Sequence, residues 1–226
     1  MDFSGHERTE RIGGGPRPCE RPAMSSEVGP VRRALGRAWL KVFGWKAVGP
    51  LPEGVPKAVF VAAPHTSNWD GPHMIAIAWT LGVPLRWMGK KELFRFPFEG
   101  FLKSVGGVSV DRSRPDGVVE DLARAFAAER TMYLAIAPSG SRRGKGHVKS
   151  GFYRIAQQAG VPIVLGFLDY EKREGGCGPV VVPTGNLTGD MDRLRTFYST
   201  VVARHPAQVP PMRVREETGG PVDAGG

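Results

Sequence analysis

Cysteine is scarce in this chain and long apolar runs are missing, and each shortage removes a class of protein. The two cysteines, Cys19 and Cys177, form no C-x-x-C pair and are too few for a disulfide scaffold. A thiolate zinc site is therefore not expected, and a reducing compartment is permitted. The charge-free stretch from Gly71 to Leu85 runs for fifteen residues with Gly, Pro and His inside it. A membrane-crossing helix needs about 20 apolar residues, so no transmembrane helix is expected. The opening MDFSGHERTERIGGG has no apolar h-region, so no secretory signal is expected, and the chain reads as cytoplasmic. Acidic residues are also in deficit, 22 against 31 Lys and Arg, for a net charge of +9. That excess favours an anionic partner: nucleic acid, an anionic bilayer surface or a phosphorylated small molecule. No helix-turn-helix, RRM or zinc pattern accompanies the bases, so nucleic acid is not expected among the partners.

What is present reads as one folded body. Of the 226 residues, 1–30 hold nine Gly or Pro and 206–226 hold eight, without sustained apolar periodicity, so both ends read as flexible tails. The body is expected over 31–205. Residues 31–45 predict an amphipathic helix, basic on one side, with Leu35, Trp39, Val42 and Phe43 on the other. KAVFVAA at 57–63, MYLAIA at 132–137 and VPIVLGFL at 161–168 are short apolar runs that predict buried strands. Further strands are expected at 85–88 and 107–110, and an edge strand at 179–183. Helices are expected over 68–81, 116–129, 151–160 and 190–203. Strands and helices alternate, which predicts an α/β fold around a mostly parallel central sheet flanked by helices. Ligands in such sheets bind beyond the carboxyl ends of the strands, so the loops after 63, 110 and 137 are the ones to read.

The first loop carries His65 and Asp70. Five residues along a helix is a rotation of about 140°, so the two meet only if His65 lies at the strand end and Asp70 in the first helical turn. Thr66, Ser67 and Asn68 are all capable N-caps and suit that geometry. Asp70 would then accept the Nδ1 proton of His65 and leave Nε2 to take a proton from a hydroxyl. A metal reading would add His73, three residues on, although His73 follows Gly71-Pro72 and suits a helix start equally. A His and an Asp five apart are a weak signal alone. The loop after 137, Pro138-Ser139-Gly140-Ser141-Arg142-Arg143-Gly144-Lys145-Gly146, suits either a phosphate cradle or a solvated basic turn. It is neither a Walker A loop nor a nucleophile elbow, since no G-x-S-x-G occurs. The loop after 110, Asp111-Arg112-Ser113-Arg114, reads on its own as an N-cap with surface arginines.

Together the three loops resemble the glycerolipid acyltransferases typified by bacterial 1-acylglycerol-3-phosphate acyltransferases. The H-x-x-x-x-D signature is His65 to Asp70, and Gly106-Gly107-Val108-Ser109-Val110-Asp111-Arg112 is similar to the family's second block. Pro138-Ser139-Gly140-Ser141-Arg142 stands where the family has P-E-G-T-R, and Val161-Pro162-Ile163 resembles its fourth block. HTSNWD, GKKELF (89–94) and KSGFYRIAQQAGVPI (149–163) look like the compact branch of that family. Serine at 141 keeps the threonine hydroxyl, but Ser139 removes a carboxylate.

The resemblance implies a fold of the glycerol-3-phosphate acyltransferase kind and O-acyl transfer from acyl-CoA or acyl-carrier protein to a lysophospholipid hydroxyl. His65 is implied as general base and Asp70 as its partner. Lys91, Arg112, Ser139, Gly140, Ser141 and Arg142 are implied at the acceptor. Neither cofactor nor metal is implied, the thioester being a co-substrate. The basic helix at 31–45, with Trp39, Phe43 and Trp45, is expected to lie on an anionic membrane surface or, alternatively, to pack into the core. A non-catalytic anionic-lipid-binding relative is the competing expectation, prompted by Ser139.

Overall fold

A computed structural model of the chain describes residues 27–110, 115–140 and 146–219. Its centre is a seven-stranded sheet built from β1 (Lys46–Val48), β2 (Lys57–Ala62), β3 (Leu85–Lys90), β4 (Gly107–Val110), β5 (Met132–Ile136), β6 (Ile163–Asp169) and β7 (Glu174–Val181). The strand order is β1-β7-β6-β2-β5-β3-β4. Every pairing is parallel except β6 with β7. The helices are α1 (Pro30–Phe43), α2 (Asp70–Leu81), α3 (Glu99–Ser104), α4 (Pro115–Ala128), α5 (Gly151–Ala159) and α6 (Leu187–Tyr198).

Burial on both faces explains why the central strands are apolar without alternation. In β2, Val59 and Val61 face one side, where they join Leu134, Ile163 and Leu165 against Phe126 of α4, Phe152 of α5 and Leu194 of α6. Ala58 and Phe60 face the other, with Tyr133 and Val164, against Ala78 of α2. A third cluster, Leu40 and Trp45 with Ala76, Ile77 and Leu168, fastens α1 onto α2 and the sheet.

The expected helix at 31–45 starts one residue earlier and is closed by Gly44, whose φ of 69° forms a left-handed cap. Of the two expected placements, its aromatic side follows the core-packed one. Gly36 and Leu40 are buried, Trp45 beyond the helix is buried, and Trp39 and Phe43 pack among the aromatic rings of α2. Val31, Leu35 and Val42 are the apolar side chains left exposed.

Two other expectations are corrected. The edge strand placed at 179–183 is β7, which begins at Glu174 and lies inside the sheet between β6 and β1. Its Gly-rich sequence disguised it. The glycines serve close approach: a Cβ on Gly176 would fall 1.6 Å from the Val48 carbonyl oxygen. The edge on that side is β1, a stretch too short to show a period. The second correction concerns 206–219, expected within a flexible tail. Val214 is fully buried and bridges Val148, Arg195 pairs with Glu217 at 2.7 Å, and Ser150 donates to Glu216. Two buried residues, Pro210 and Val214, flanked by polar contacts leave no periodic trace in sequence. Residues 1–26 and 220–226 lie outside the described residues.

Candidate active site

The sheet places its functional side chains by strand adjacency. β2 lies between β5 and β6, all three parallel, so the segments leaving their carboxyl ends converge. From β2 comes His65, from β5 Pro138 to Gly140, and from β6 Tyr170.

The geometry expected of His65 and Asp70 is present. His65 stands before α2, Asp70 is the first residue of α2, and His65 Nδ1 lies 3.0 Å from Asp70 Oδ2. The N-cap expectation needs amending, because the residue before the helix is Trp69, without a side-chain cap. Ser67 Oγ instead accepts the Trp69 N–H, and Asp70 Oδ2 accepts the backbone N–H groups of Thr66 and Ser67, each at 2.9 Å. The carboxylate thus organises the loop that carries its own histidine, at a helix N-terminus where negative charge is favoured.

A fourth donor comes from far along the chain. The Tyr170 hydroxyl donates to Asp70 Oδ1 at 2.6 Å. Burial alone would raise the Asp70 pKa, but the hydrogen bonds from His65, Tyr170 and the Ser67 N–H outweigh it and hold the carboxyl below its ordinary value. Asp70 is an anion at neutral pH, buried and fully engaged. Burial, with the bond to Asp70 second, pushes the Tyr170 phenol well up, so it is a permanent donor. Asp169 orients this tyrosine by accepting the N–H groups of Glu171 and Lys172 in the turn after β6.

His73, one turn after Asp70, serves another purpose. Its Nδ1 accepts the Trp39 indole N–H at 3.1 Å, and its ring stacks on Trp45 with centroids 4.5 Å apart. Burial lowers its pKa and keeps it neutral. The lone pair a metal would need at Nδ1 is occupied, and among the described residues no group of three or more His, Cys, Asp or Glu could hold a metal. The segment after α6 straps the assembly: Arg204 sits over the rings of Trp69 and Tyr170, 5.9 Å from each, and the His205 N–H donates to Thr66 Oγ1.

The dyad opens onto a cavity of about 1200 Å³. Its walls are mainly apolar, drawn from α1, α2, the segment after β3, α4 and α5, with His65, Asp70, Asn68, Glu92 and Lys149 as polar and charged exceptions. A second cavity of about 290 Å³ shares His65, Pro64 and Pro138 and is closed by Tyr198, Pro210 and Met212. His65 therefore stands where two cavities meet. Cys177 also lines the larger one, but burial pushes its thiol up to about 11, which leaves it protonated and a poor nucleophile.

The other expected site residues divide. Gly140 lines the large cavity, and its φ of 63° explains why glycine stands there. Ser139 lines the small one, its Oγ buried with no partner among the described residues. Lys91 is exposed, and its neighbours Glu92 and Leu93, rather than Lys91, line the large cavity. Arg112, Ser141 and Arg142 lie outside the described residues. Sequence reasoning missed Tyr170, which belongs to no motif, and did not single out Lys149 from its basic run.

Comparison with known proteins agrees with this architecture. No curated protein matches. Among solved structures, the 1-acyl-sn-glycerophosphate acyltransferase PlsC from Thermotoga maritima is similar at a TM-score of 0.50 and 18% identity, over 75% of this chain and 74% of that one, a likeness of fold. The family described as Acyltransferase matches residues 51–164, which reach from the turn before β2 into β6 and include the His65–Asp70 loop. With half of its length matched in this way, the chain belongs to the acyltransferase family.

Proposed function

We propose that this protein transfers a fatty acyl group from acyl-CoA or acyl-carrier protein to the free hydroxyl of a lysophospholipid of the 1-acylglycerol-3-phosphate kind. The observation that carries the reading is a buried, ionised Asp70 holding Nδ1 of a histidine that faces a large apolar cavity. His65 Nε2 takes the proton of the acceptor hydroxyl as its oxygen attacks the thioester carbonyl carbon. The tetrahedral adduct collapses, the C–S bond breaks, and the imidazolium returns the proton to the departing thiolate. Acyl ester and free thiol leave. Asp70 fixes the His65 tautomer and offsets the imidazolium charge. Cys177 is protonated and, among the described residues, His65 pairs with Asp70 and with no Ser or Cys, which favours direct transfer over an acyl-enzyme.

The acyl chain fits the apolar walls of the large cavity. Gly140 and Lys149 line the same cavity and suit the acceptor phosphate, with Arg112 and Arg142 as further anion partners in this reading. Contact with an anionic membrane would use the basic α1, through Val31, Leu35 and Val42 rather than through Trp39 and Phe43. No described helix is long and apolar enough to cross a membrane.

The test is free-thiol release by the purified protein with acyl-CoA and a panel of lysophospholipids. His65→Ala is expected to lower turnover by roughly 10²- to 10⁴-fold while the protein stays folded. Undiminished turnover in folded His65→Ala refutes the mechanism. Lipid binding with no thiol release by the wild type would favour the non-catalytic reading.

A further inference from the structure

The segment between β3 and β4 exposes more apolar surface than its fold needs. Phe94 is buried and stacks on Trp87 at 5.9 Å, anchoring the segment to the sheet. Around that anchor, Leu93 is 54% exposed, Phe96 96%, Phe98 64% and Phe101 65%. Isolated exposed apolar residues are ordinary, but a cluster of large ones marks an interaction surface.

The cluster is continuous with α1. Arg32 donates to the Ser104 carbonyl at 3.1 Å and ties the start of α1 to the end of α3. Leu35 and Val42 of α1 and Leu93 and Phe101 of this segment all line the large cavity. The exposed apolar side chains of two separate elements therefore form part of the wall of one apolar chamber, while Phe96 and Phe98 stand outside it.

Charge indicates what covers them. α1 carries Arg32, Arg33, Arg37 and Lys41 with no acid, and in the second segment Lys91 and Arg95 are exposed beside an exposed Glu92 while Glu99 is paired with Lys103 at 2.9 Å, so bases outnumber acids across the two elements. Bases beside protruding aromatic rings complement anionic head groups above hydrocarbon. We propose that residues 91–104 are a second membrane-inserting element, which places Phe96 and Phe98 in the acyl region of an anionic phospholipid leaflet so that the cavity opens into lipid. The use of that opening by an acyl chain rests on the proposed function; the insertion itself does not. A lipid chain would then pass from leaflet to dyad without crossing water.

The experiment compares wild type with Phe96→Ser/Phe98→Ser in sedimentation with vesicles of phosphatidylglycerol and phosphatidylcholine. Both side chains are mostly exposed, so the thermal midpoint is expected to stay within about 2 °C. Partitioning is expected to fall on the order of 10- to 100-fold, the consequence of withdrawing two aromatic side chains from hydrocarbon. The loss should persist on phosphatidylcholine alone at high salt, where attraction between charges is screened. A parallel assay follows thiol release with short-chain, water-soluble donor and acceptor, on which the variant is expected to match the wild type. Equal partitioning of the two proteins overturns the proposal. So does a lipid-free dimer that the double substitution dissociates, because a second copy would then be the occupant. A variant that loses soluble-substrate turnover together with partitioning also overturns it. If the wild type acylates no lysophospholipid but the vesicle result holds, the proposed function falls and the membrane element stands.

Discussion

Tyr170→Phe is the most informative single substitution at the dyad, because it removes one hydroxyl and leaves the ring in place. The lost bond is the 2.6 Å donation to Asp70 Oδ1. Asp70 Oδ2 keeps all three of its donors, His65 Nδ1 and the Thr66 and Ser67 N–H groups. Hydrogen bonds to charged groups contribute about 1.5–3 kcal/mol. If all of that supports the orientation of Asp70 in the transition state, kcat falls by roughly ten- to 150-fold, at about 1.4 kcal/mol per factor of ten. Binding of substrate should change less, so kcat and not KM carries the effect. Acid stability supplies an independent check. A depressed carboxyl pKa contributes stability that is present above the unfolded value, taken as 3.8, and is lost as pH falls through the lower folded value. Tyr170→Phe raises the folded value toward 3.8 and narrows that window from below, so the acid loss of melting temperature should be smaller and should level off at a higher pH than in the wild type. Steady-state kinetics and thermal melts over acid pH measure both. An unchanged kcat together with an unchanged acid profile would refute the claim that Tyr170 holds the carboxylate.

Two further outcomes are expected. Burial depresses the His73 pKa below 6.5, so between the folded value and 6.5 the unfolded chain binds the proton that the folded one refuses, and stability declines as pH falls through that range. His73→Phe should flatten that decline, which has a ceiling of about 1.4 kcal/mol per pH unit, and thermal melts from neutral to acid pH will show it. Ser139→Glu places a carboxylate where Oγ is buried without a partner among the described residues, and is expected to raise kcat on a lysophosphatidate acceptor by orienting its cationic neighbours. Abolished activity beside a brisk wild type would instead make the serine a feature for a different head group.

Legibility followed local pattern. KAVFVAA and MYLAIA read as buried strands because both of their faces are covered, and β2 delivers His65 to a helix start as the spacing required. What stayed hidden depended on distant partners. β7 read only as an edge strand over 179–183, and its first half went unread because its glycines serve the close approach of β1. Trp39 and Phe43 on a basic helix read equally well as a membrane face, and only the rings of Trp69 and His73 show that they turn inward. The exposed apolar side chains are instead Val31, Leu35 and Val42, with phenylalanines after β3 that no periodicity marked.

The strap over the His65 loop has a consequence for how activity is acquired. Tyr170 meets Asp70 across 100 residues of sequence, and His205 meets Thr66 across 139. The Tyr170 N–H in turn donates to the Val202 carbonyl, so the strap and the tyrosine hold each other. Contacts this far apart in sequence close only after the loops between them are ordered. An emerging or partly folded chain can display HTSNWD in full and still lack the constraint on its carboxylate. Thiol release would therefore register completion of the whole sheet during refolding, lagging behind the helical signal of α1 and α2, whose backbone hydrogen bonds are local.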